Sequence, residues 1–264
     1  MTIFEAIILG ALQGITEFLP VSSSGHLELA NYFFGIEEPN NLQFTMAVHA
    51  GTVLSTIVVF WKELVRIIGG FFKFRMNDEM VFVLNIMISL VPILFVGLMF
   101  QDQIEGLFTS NLKLVGVMLI VTAGLLTFSH YAKPGQRPVT PKSAFIMGLA
   151  QAIAVIPGLS RSGATISAGL LQGVKREEVS KFSFLMVLIP VIGMNILEVA
   201  KGNFSGEAVD TANITAGFLT AFVTGMLACR WMIRLVNRGK LIWFAVYCMI
   251  VGVISIMFYI YGGN

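Results

Sequence analysis

The stretch VFVLNIMISLVPILFVGLMF, residues 81 to 100, contains no charged side chain. A helix of that length spans about 30 Å, the thickness of a bilayer's hydrocarbon core, so the segment predicts a membrane-crossing helix. Comparable runs lie at 44–61, 112–128, 182–200, 214–229 and 241–260. Over all 264 residues, 56% are hydrophobic, 12% are charged and the mean hydropathy is +0.83. Those values exclude a soluble globular domain. The opening MTIFEAIILG has no basic leader, and Gln13, Thr16 and Glu17 interrupt the apolar run behind it, so the N-terminus is read as mature chain rather than a cleavable signal. A net charge of +2 gives no basis for nucleic acid as a partner. Cys229 and Cys248 stand in separate apolar runs without metal-ligand spacing and are read as packing residues.

Sliding the chain against itself by 138 positions aligns residues 6–44 with 144–182 without a gap, with eleven identities in 39 positions. Among them are Gly10/Gly148, Gln13/Gln151, Ser22/Ser160, Ser24/Ser162, Gly25/Gly163, Gly35/Gly173 and Phe44/Phe182. Apolar bias matches alanines and isoleucines, but it does not align Gln, two Ser and Gly around one turn, so an internal repeat is expected. The first half, 1–135, reads as a polar-interrupted segment (3–34) and spans at 44–61, 80–100 and 112–128. The second, 136–264, reads as a polar-interrupted segment (141–174) and spans at 182–200, 214–229 and 241–260. Three crossings per half turn the second copy over. The predicted fold is an all-α polytopic membrane protein with an inverted-topology repeat, six spans and two re-entrant helix hairpins.

Basic residues orient that plan. Lys62, Arg66, Lys73 and Arg75, then Lys133, Arg137 and Lys142, then Lys175, Arg176 and Lys181, then Arg230, Arg234, Arg238 and Lys240 all fall on one side. Assigning that side to the cytoplasm leaves Lys113 and Lys201 outside, among Glu37, Glu38, Asp102, Glu105, Glu207 and Asp210. Both termini are then outside, the first hairpin enters from the exterior and the second from the cytoplasm. Broken backbone at membrane depth is tolerated only where protein or water covers it. A straight helix over 3–19 would measure about 25 Å, so it must tilt or begin at the surface.

The breaks fall at PVSSSG (20–25) and PGLSRSG (157–163), and in each a serine precedes glycine and a returning helix. Serine is a natural N-cap, and a helix start presents N–H groups suited to an anion. Ser22, Ser24 and Gly25 in the first break, and Ser160, Ser162 and Gly163 in the second, are therefore candidate phosphate contacts. If the breaks meet, Arg161 joins them, and an arginine at bilayer depth costs at least ~2.5–3.5 kcal/mol and marks a function. The competing reading pairs Arg161 with Glu17 simply to hold the halves together. His26 follows Ser23 by three residues, a shared helix face that suits a nucleophile–base pair; the bland alternative is a histidine hydrogen-bonded in the core. Gln13 and Glu17, spaced i, i+4, could offer oxygen ligands to a divalent cation, or Glu17 could orient Arg161 or His26 instead. His49 is read as a packed helix histidine.

QGITEFLPVSSSGH (13–26) and PGLSRSGAT (157–165) resemble the two signature motifs of the undecaprenyl-diphosphate phosphatase family, also called bacitracin-resistance proteins. Chain length and hydropathy profile agree with that family along essentially the whole sequence. The resemblance implies a bacterial cell-membrane hydrolase that converts undecaprenyl diphosphate to undecaprenyl phosphate and inorganic phosphate, recycling the lipid carrier of cell-wall synthesis. It places the acidic motif on Gln13 and Glu17, the serine–histidine motif on Ser22, Ser23 and His26, and the arginine motif on Ser160, Arg161, Ser162 and Thr165. Family members carry Glu or Gln at the first acidic position, so Gln13 is allowed but argues against two carboxylates sharing a metal. The resemblance also implies a site open to the outer face and dependence on Mg2+ or Ca2+. On this reading Ser23, aided by His26, attacks the terminal phosphorus while Arg161, Ser160 and Thr165 hold phosphate; in the variant, His26 or Glu17 activates water directly. The expected partners are the lipid substrate, the surrounding membrane lipids and a second copy in a homodimer. A transporter or flippase of prenyl phosphate lipids is the rival class, one that leaves the Ser–His pair without a task.

Overall fold

A computed structural model of the chain describes residues 1–34, 42–107, 111–133, 135–201 and 210–261. Gly35 of the repeat pairs and the loop acids Glu37, Glu38 and Glu207 lie outside the described residues. The elements within them are helical: α1 (Ile3–Phe18), α2 (Ser23–Phe34), α3 (Leu42–Val59), α4 (Trp61–Phe71), α5 (Asp78–Met99), α6 (Gln101–Glu105), α7 (Leu112–Tyr131), α8 (Pro141–Ile153), α9 (Arg161–Leu171), α10 (Arg176–Met186), α11 (Leu188–Lys201), α12 (Thr211–Asn237) and α13 (Ile242–Tyr261). The described residues hold no strand, only an isolated bridge between Arg137 and Val174.

Among the described residues, five helical stretches are long and apolar enough to cross a membrane: Asp78–Met99, Leu112–Tyr131, Arg176–Leu197, Thr211–Asn237 and Ile242–Tyr261. A sixth exists if Gln43–Val59 and Trp61–Phe71, bent by 75° against each other, count as one. Two expected spans thus differ in detail. The 44–61 run breaks at Phe60, where the chain turns sharply, and the 182–200 run begins earlier and is interrupted at Val187. By contrast α1, with 16 residues, reaches about 24 Å, and α2, α8 and α9, with 12, 13 and 11 residues, are shorter still.

Capping side chains start these helices where the sequence permits. Thr2 and Glu5 form a reciprocal capping box on α1, and Thr140 with Ser143 does the same for α8, where Pro141 occupies the first turn. Asn77 caps α5 and Asn111 caps α7. Packing then relies on small residues, because lipid tails supply no hydrophobic drive between helices and close backbone approach must replace it. A Cβ on Gly10 of α1 would lie 2.5 Å from the Gly217 carbonyl of α12, and one on Gly148 of α8 would lie 2.3 Å from the Ser89 carbonyl of α5. Each short hairpin therefore leans on a long helix from the other half of the chain. Likewise α7 and α13 cross with Gly116 and Gly252 facing each other's carbonyls. These crossings fix α1 and α8, which lead into the two turns, against long helices.

Candidate active site

Both turns are built the same way. At the first, α1 stops at Phe18 and Pro20, which lacks an N–H, cannot continue it; Ser22 then takes a left-handed φ of 70° and α2 starts at Ser23. At the second, Gly158 supplies the left-handed step at φ 88° and Ser160 caps α9 in ordinary extended geometry. Ser22 Oγ accepts from Gly25 N–H at 3.3 Å, and Ser160 Oγ accepts from Gly163 N–H at 3.1 Å. In each turn the serine pair, Ser22/Ser24 or Ser160/Ser162, sits with its hydroxyls 3.3 Å apart. The Gly25 and Gly163 N–H groups are taken by these caps, so the helix-start donors that lack an intrahelical acceptor are those before them, at Ser23 and Ser24 and at Arg161 and Ser162.

The turns touch each other. Ser162 Oγ donates to the Leu19 carbonyl at 3.2 Å. A Cβ on Gly25 would lie 3.0 Å from Gly158 Cα, and one on Gly163 would lie 3.3 Å from Pro20 Cβ. Each contact mirrors the other, since Gly25 aligns with Gly163 and Pro20 with Gly158 in the 138-residue register. Each turn is also buttressed by a long helix. Thr122 of α7 accepts from Ser160 N–H at 3.0 Å and reaches the Gly158 carbonyl at 3.4 Å, and the Cys248 thiol of α13 reaches the Pro20 carbonyl at 3.5 Å. Cys248, expected as packing alone, thus also serves as a weak donor.

At the junction stands Glu17, its side chain 9% exposed. One carboxylate oxygen takes the Arg161 guanidinium. The other accepts from Ser23 Oγ at 2.7 Å and from Gln13 Nε2 at 3.0 Å. The ion pair that the competing reading gave to Arg161 is therefore made, and it joins the two turns. It does not exhaust the arginine: one guanidinium nitrogen bonds Glu17, the side chain is 29% exposed, and its other N–H groups find no acceptor among the described residues.

The Ser23–His26 pair expected from the i, i+3 spacing is not made. His26 folds back so that Nδ1 meets the Ser22 carbonyl at 2.8 Å, while Nε2 meets the Tyr247 hydroxyl of α13 at 2.7 Å. The carbonyl demands a proton on Nδ1, so in the neutral ring Nε2 is the lone-pair nitrogen and the Tyr247 hydroxyl donates to it. The two rings stack at 5.6 Å with an 11° tilt. Ser23, at the first helical position, points back to Glu17 instead.

An open cleft borders this cluster. Glu17, Arg161, Ser162, Thr165 and Ser183 form its polar end, Thr52 and Thr56 of α3 one side, and Phe18, Val53, Phe184, Leu188 and Val191 its apolar wall. Thr165, expected to hold phosphate, donates to or accepts from Ser183 at 2.6 Å and donates to the Arg161 carbonyl at 2.9 Å, so it shapes the arginine's turn as well as the cleft. His49 bonds the Thr45 carbonyl within α3, as a packed helix histidine does. Sequence reasoning missed Thr52, Thr56, Ser183, Thr122 and Tyr247. The i, i+4 threonines of α3 were the available signal, two hydroxyls on one stripe of an apolar run.

For a divalent cation the donor set is sparse. The described residues contain no group of three or more His, Cys, Asp or Glu placed to hold a metal. What does fit is Gln13: it is fully buried, its amide nitrogen is on Glu17, and its Oε1 has no partner. A buried carbonyl oxygen left unsatisfied beside a carboxylate is the half-shell a hard cation uses when phosphate and water supply the rest.

The family model described as bacitracin resistance protein BacA matches residues 6–254. An undecaprenyl-diphosphatase of Bacteroides fragilis is 53% identical over 258 residues, 96% of this chain and 97% of that protein. Those of Parabacteroides distasonis, 52% identical over 97% of this chain and 98% of the other, and of Korarchaeum cryptofilum, 39% identical over 96% and 98%, are alike along the same length.

Proposed function

The chain belongs to the bacitracin resistance protein family, and we propose that it is an undecaprenyl-diphosphatase whose chemistry is done where its two helix breaks meet. It is a membrane hydrolase that releases inorganic phosphate from undecaprenyl diphosphate and returns the monophosphate carrier to cell-wall synthesis, the activity by which such proteins confer bacitracin resistance. The observation that carries the assignment of roles is the Glu17 carboxylate, bonded at once to Ser23 of one turn and Arg161 of the other.

On this reading the substrate's diphosphate enters the polar end of the cleft and draws Arg161 from Glu17 onto its terminal phosphate oxygens. Relieved of that partner, Glu17 becomes a stronger base for the Ser23 proton it already accepts. Ser23 Oγ attacks the terminal phosphorus, its proton passes to Glu17, and the bond to the bridging oxygen breaks to release undecaprenyl phosphate. Arg161 and the first-turn N–H groups stabilise charge spread over the equatorial oxygens. Water then cleaves the phosphoserine, its proton passing to the Tyr247 hydroxyl as that hydroxyl gives its own to His26 Nε2, while the Glu17 proton returns to Ser23. Ser160, Ser162 and Thr165 hold the second turn in place for this work. A bound Mg2+ or Ca2+, held by Gln13 Oε1 and Glu17, would supply further neutralisation of the phosphate oxygens.

The prenyl tail lies along the apolar wall toward lipid, and at ~0.8 kcal/mol per buried methylene it supplies most of the affinity. The inverted repeat of residues 1–135 and 136–264, with re-entrant hairpins at 3–34 and 141–174, is supported by the mirrored contacts of the two turns and by helices too short to span. The basic groups support termini outside and a site facing the exterior. Membrane lipids surround the protein, and a homodimer is its proposed assembly. Phosphate release by purified protein in detergent tests the hydrolase reading, because micelles offer no second side to transport to. Acid-quenched reactions with labelled substrate should trap phosphate on Ser23. Near-normal turnover by Ser23→Ala would assign the attack to water, and restoration of chelated enzyme by neither cation would remove the metal.

A further inference from the structure

Helix α4 has three faces, and the phosphatase site uses none of them. Leu64 and Ile67 turn inward, Ile67 buried at 7% exposure, and the far end is pinned to α5 where Asn77 Nδ2 bonds the Gly70 carbonyl at 3.0 Å. On another stripe Trp61, Val65, Ile68 and Phe72 follow at i, i+4, i+7 and i+11, and they are 60%, 52%, 54% and 65% exposed. Beside that stripe, about a quarter-turn around the helix, come Lys62, Arg66 and Lys73, all exposed, with Arg75 just beyond. Arg66 is engaged by Glu63 at 2.8 Å and by Glu79 at 3.7 Å, whereas no ion pair within 4.0 Å engages Lys62, Lys73 or Arg75 among the described residues.

A large exposed apolar stripe in water is costly, and a continuation of α3 across the bilayer would carry Lys62 and Arg66 into hydrocarbon. The 75° bend at Phe60 avoids both. It is backed by the Phe60–Phe184 ring contact at 6.2 Å and the Phe18–Phe184 contact at 5.9 Å, so the elbow is packed in place. We infer that α4 is an interfacial helix: its Trp61–Phe72 stripe lies in the acyl boundary of one leaflet, and Lys62, Lys73 and Arg75 bind anionic lipid head groups at that surface. Apolar area on one side and unpaired cations on the next is the pattern by which helices lie in a membrane plane. The topology proposed above decides which leaflet is meant; the docking itself does not depend on it.

The test uses the full chain in lipid nanodiscs. In a Trp231→Phe, Trp243→Phe protein, Trp61 is the sole tryptophan, since the chain has three. Its emission should be quenched more by phosphatidylglycerol brominated near the acyl carbonyl than by lipid brominated near the methyl end. Should that variant fold poorly, a spin label at Ile68→Cys, with buried Cys229 and Cys248 left in place, should show the same shallow depth by oxygen against nickel accessibility. Changing Lys62, Lys73 or Arg75 to Gln should lower the preference for spin-labelled phosphatidylglycerol over phosphatidylcholine by about two- to fivefold each. Strongest quenching at the bilayer centre would make α4 part of a span. Emission protected only as protein concentration rises would give the stripe to a second copy, and lipid preference unchanged in all three variants would remove the anionic partner.

Discussion

The two turns share a scaffold and differ in what they hang on it. Capping serine, serine pair, capped glycine, a buttress from the opposite long helix and a carbon-to-carbon contact with the other turn are common to both. At the aligned positions, however, the first turn has Ser23 and His26 where the second has Arg161 and Ala164, and the helix leading in has Glu17 where the other has Val155. In the mechanism proposed above this divides the labour: the first half carries the groups that move protons, the second the permanent charge. There Arg161 has Glu17 as its counter-ion in the resting protein, and Glu17 acts as a base once Arg161 is withdrawn.

The sharpest way to break that division is Ser23→Ala. Loss of a nucleophile should cut phosphate release at least ~10⁴-fold with KM nearly unchanged, since the charge that binds the head group remains. A large rise in KM with kcat retained would make Ser23 a binding residue and erase the difference between the turns. Arg161→Ala comes next, with kcat/KM lower by on the order of 10²–10³-fold and loss in both parameters, as expected for a donor that binds the ground state and binds the transition state more tightly. Because removing one partner of a buried pair leaves the other charge uncompensated, at a cost of about 3–5 kcal/mol, that variant should also unfold at lower temperature. The Arg161→Ala, Glu17→Gln double variant should regain much of the stability and none of the activity.

Tyr247→Phe should be milder. The ring stack persists while the hydroxyl that His26 Nε2 accepts is gone, so the predicted effect is about tenfold on kcat, confined to the phosphoserine-hydrolysis step. Burst kinetics check it: phosphoenzyme should accumulate in Tyr247→Phe and be absent in Ser23→Ala. If both steps slow equally, His26 serves the first turn's shape rather than its chemistry.

Much of this division was legible in the residues because it rests on identity and spacing. Unbroken apolar runs announced α5, α7, α12 and α13, and the 138-residue register brought Ser22 opposite Ser160 before any coordinates. What stayed hidden was set by contacts distant in sequence. TIVVFWKEL has neither glycine nor proline to mark the elbow at Phe60, and the ring that packs against it, Phe184, lies more than a hundred residues on. Tyr247 meets His26 across 221 positions, and no local pattern distinguishes it from the other tyrosines. The expected Ser23–His26 contact is absent for a local reason: Nδ1 takes the Ser22 carbonyl four residues back, the same bond His49 makes with Thr45, and the imidazole follows that carbonyl instead of its helical neighbour.

Backbone strain separates the turns in one last, smaller way. Ser22 carries the left-handed conformation on a residue with a Cβ, whereas in the second turn that burden falls on Gly158 and Ser160 is relaxed at φ −70°. Glycine in place of a capping serine costs only a few tenths of a kcal/mol for the lost hydroxyl, and it adds unfolded-state entropy wherever the native backbone was already comfortable. At Ser160 both effects destabilise, so Ser160→Gly should cost about 1 kcal/mol. At Ser22 the relief of about 1–2 kcal/mol of left-handed strain opposes them, so Ser22→Gly should be neutral or slightly stabilising. Thermal unfolding of the two variants side by side in one detergent reads the sign directly. Equal losses would mean that Ser22 is held without strain, and that the first turn differs from the second in its chemical groups alone.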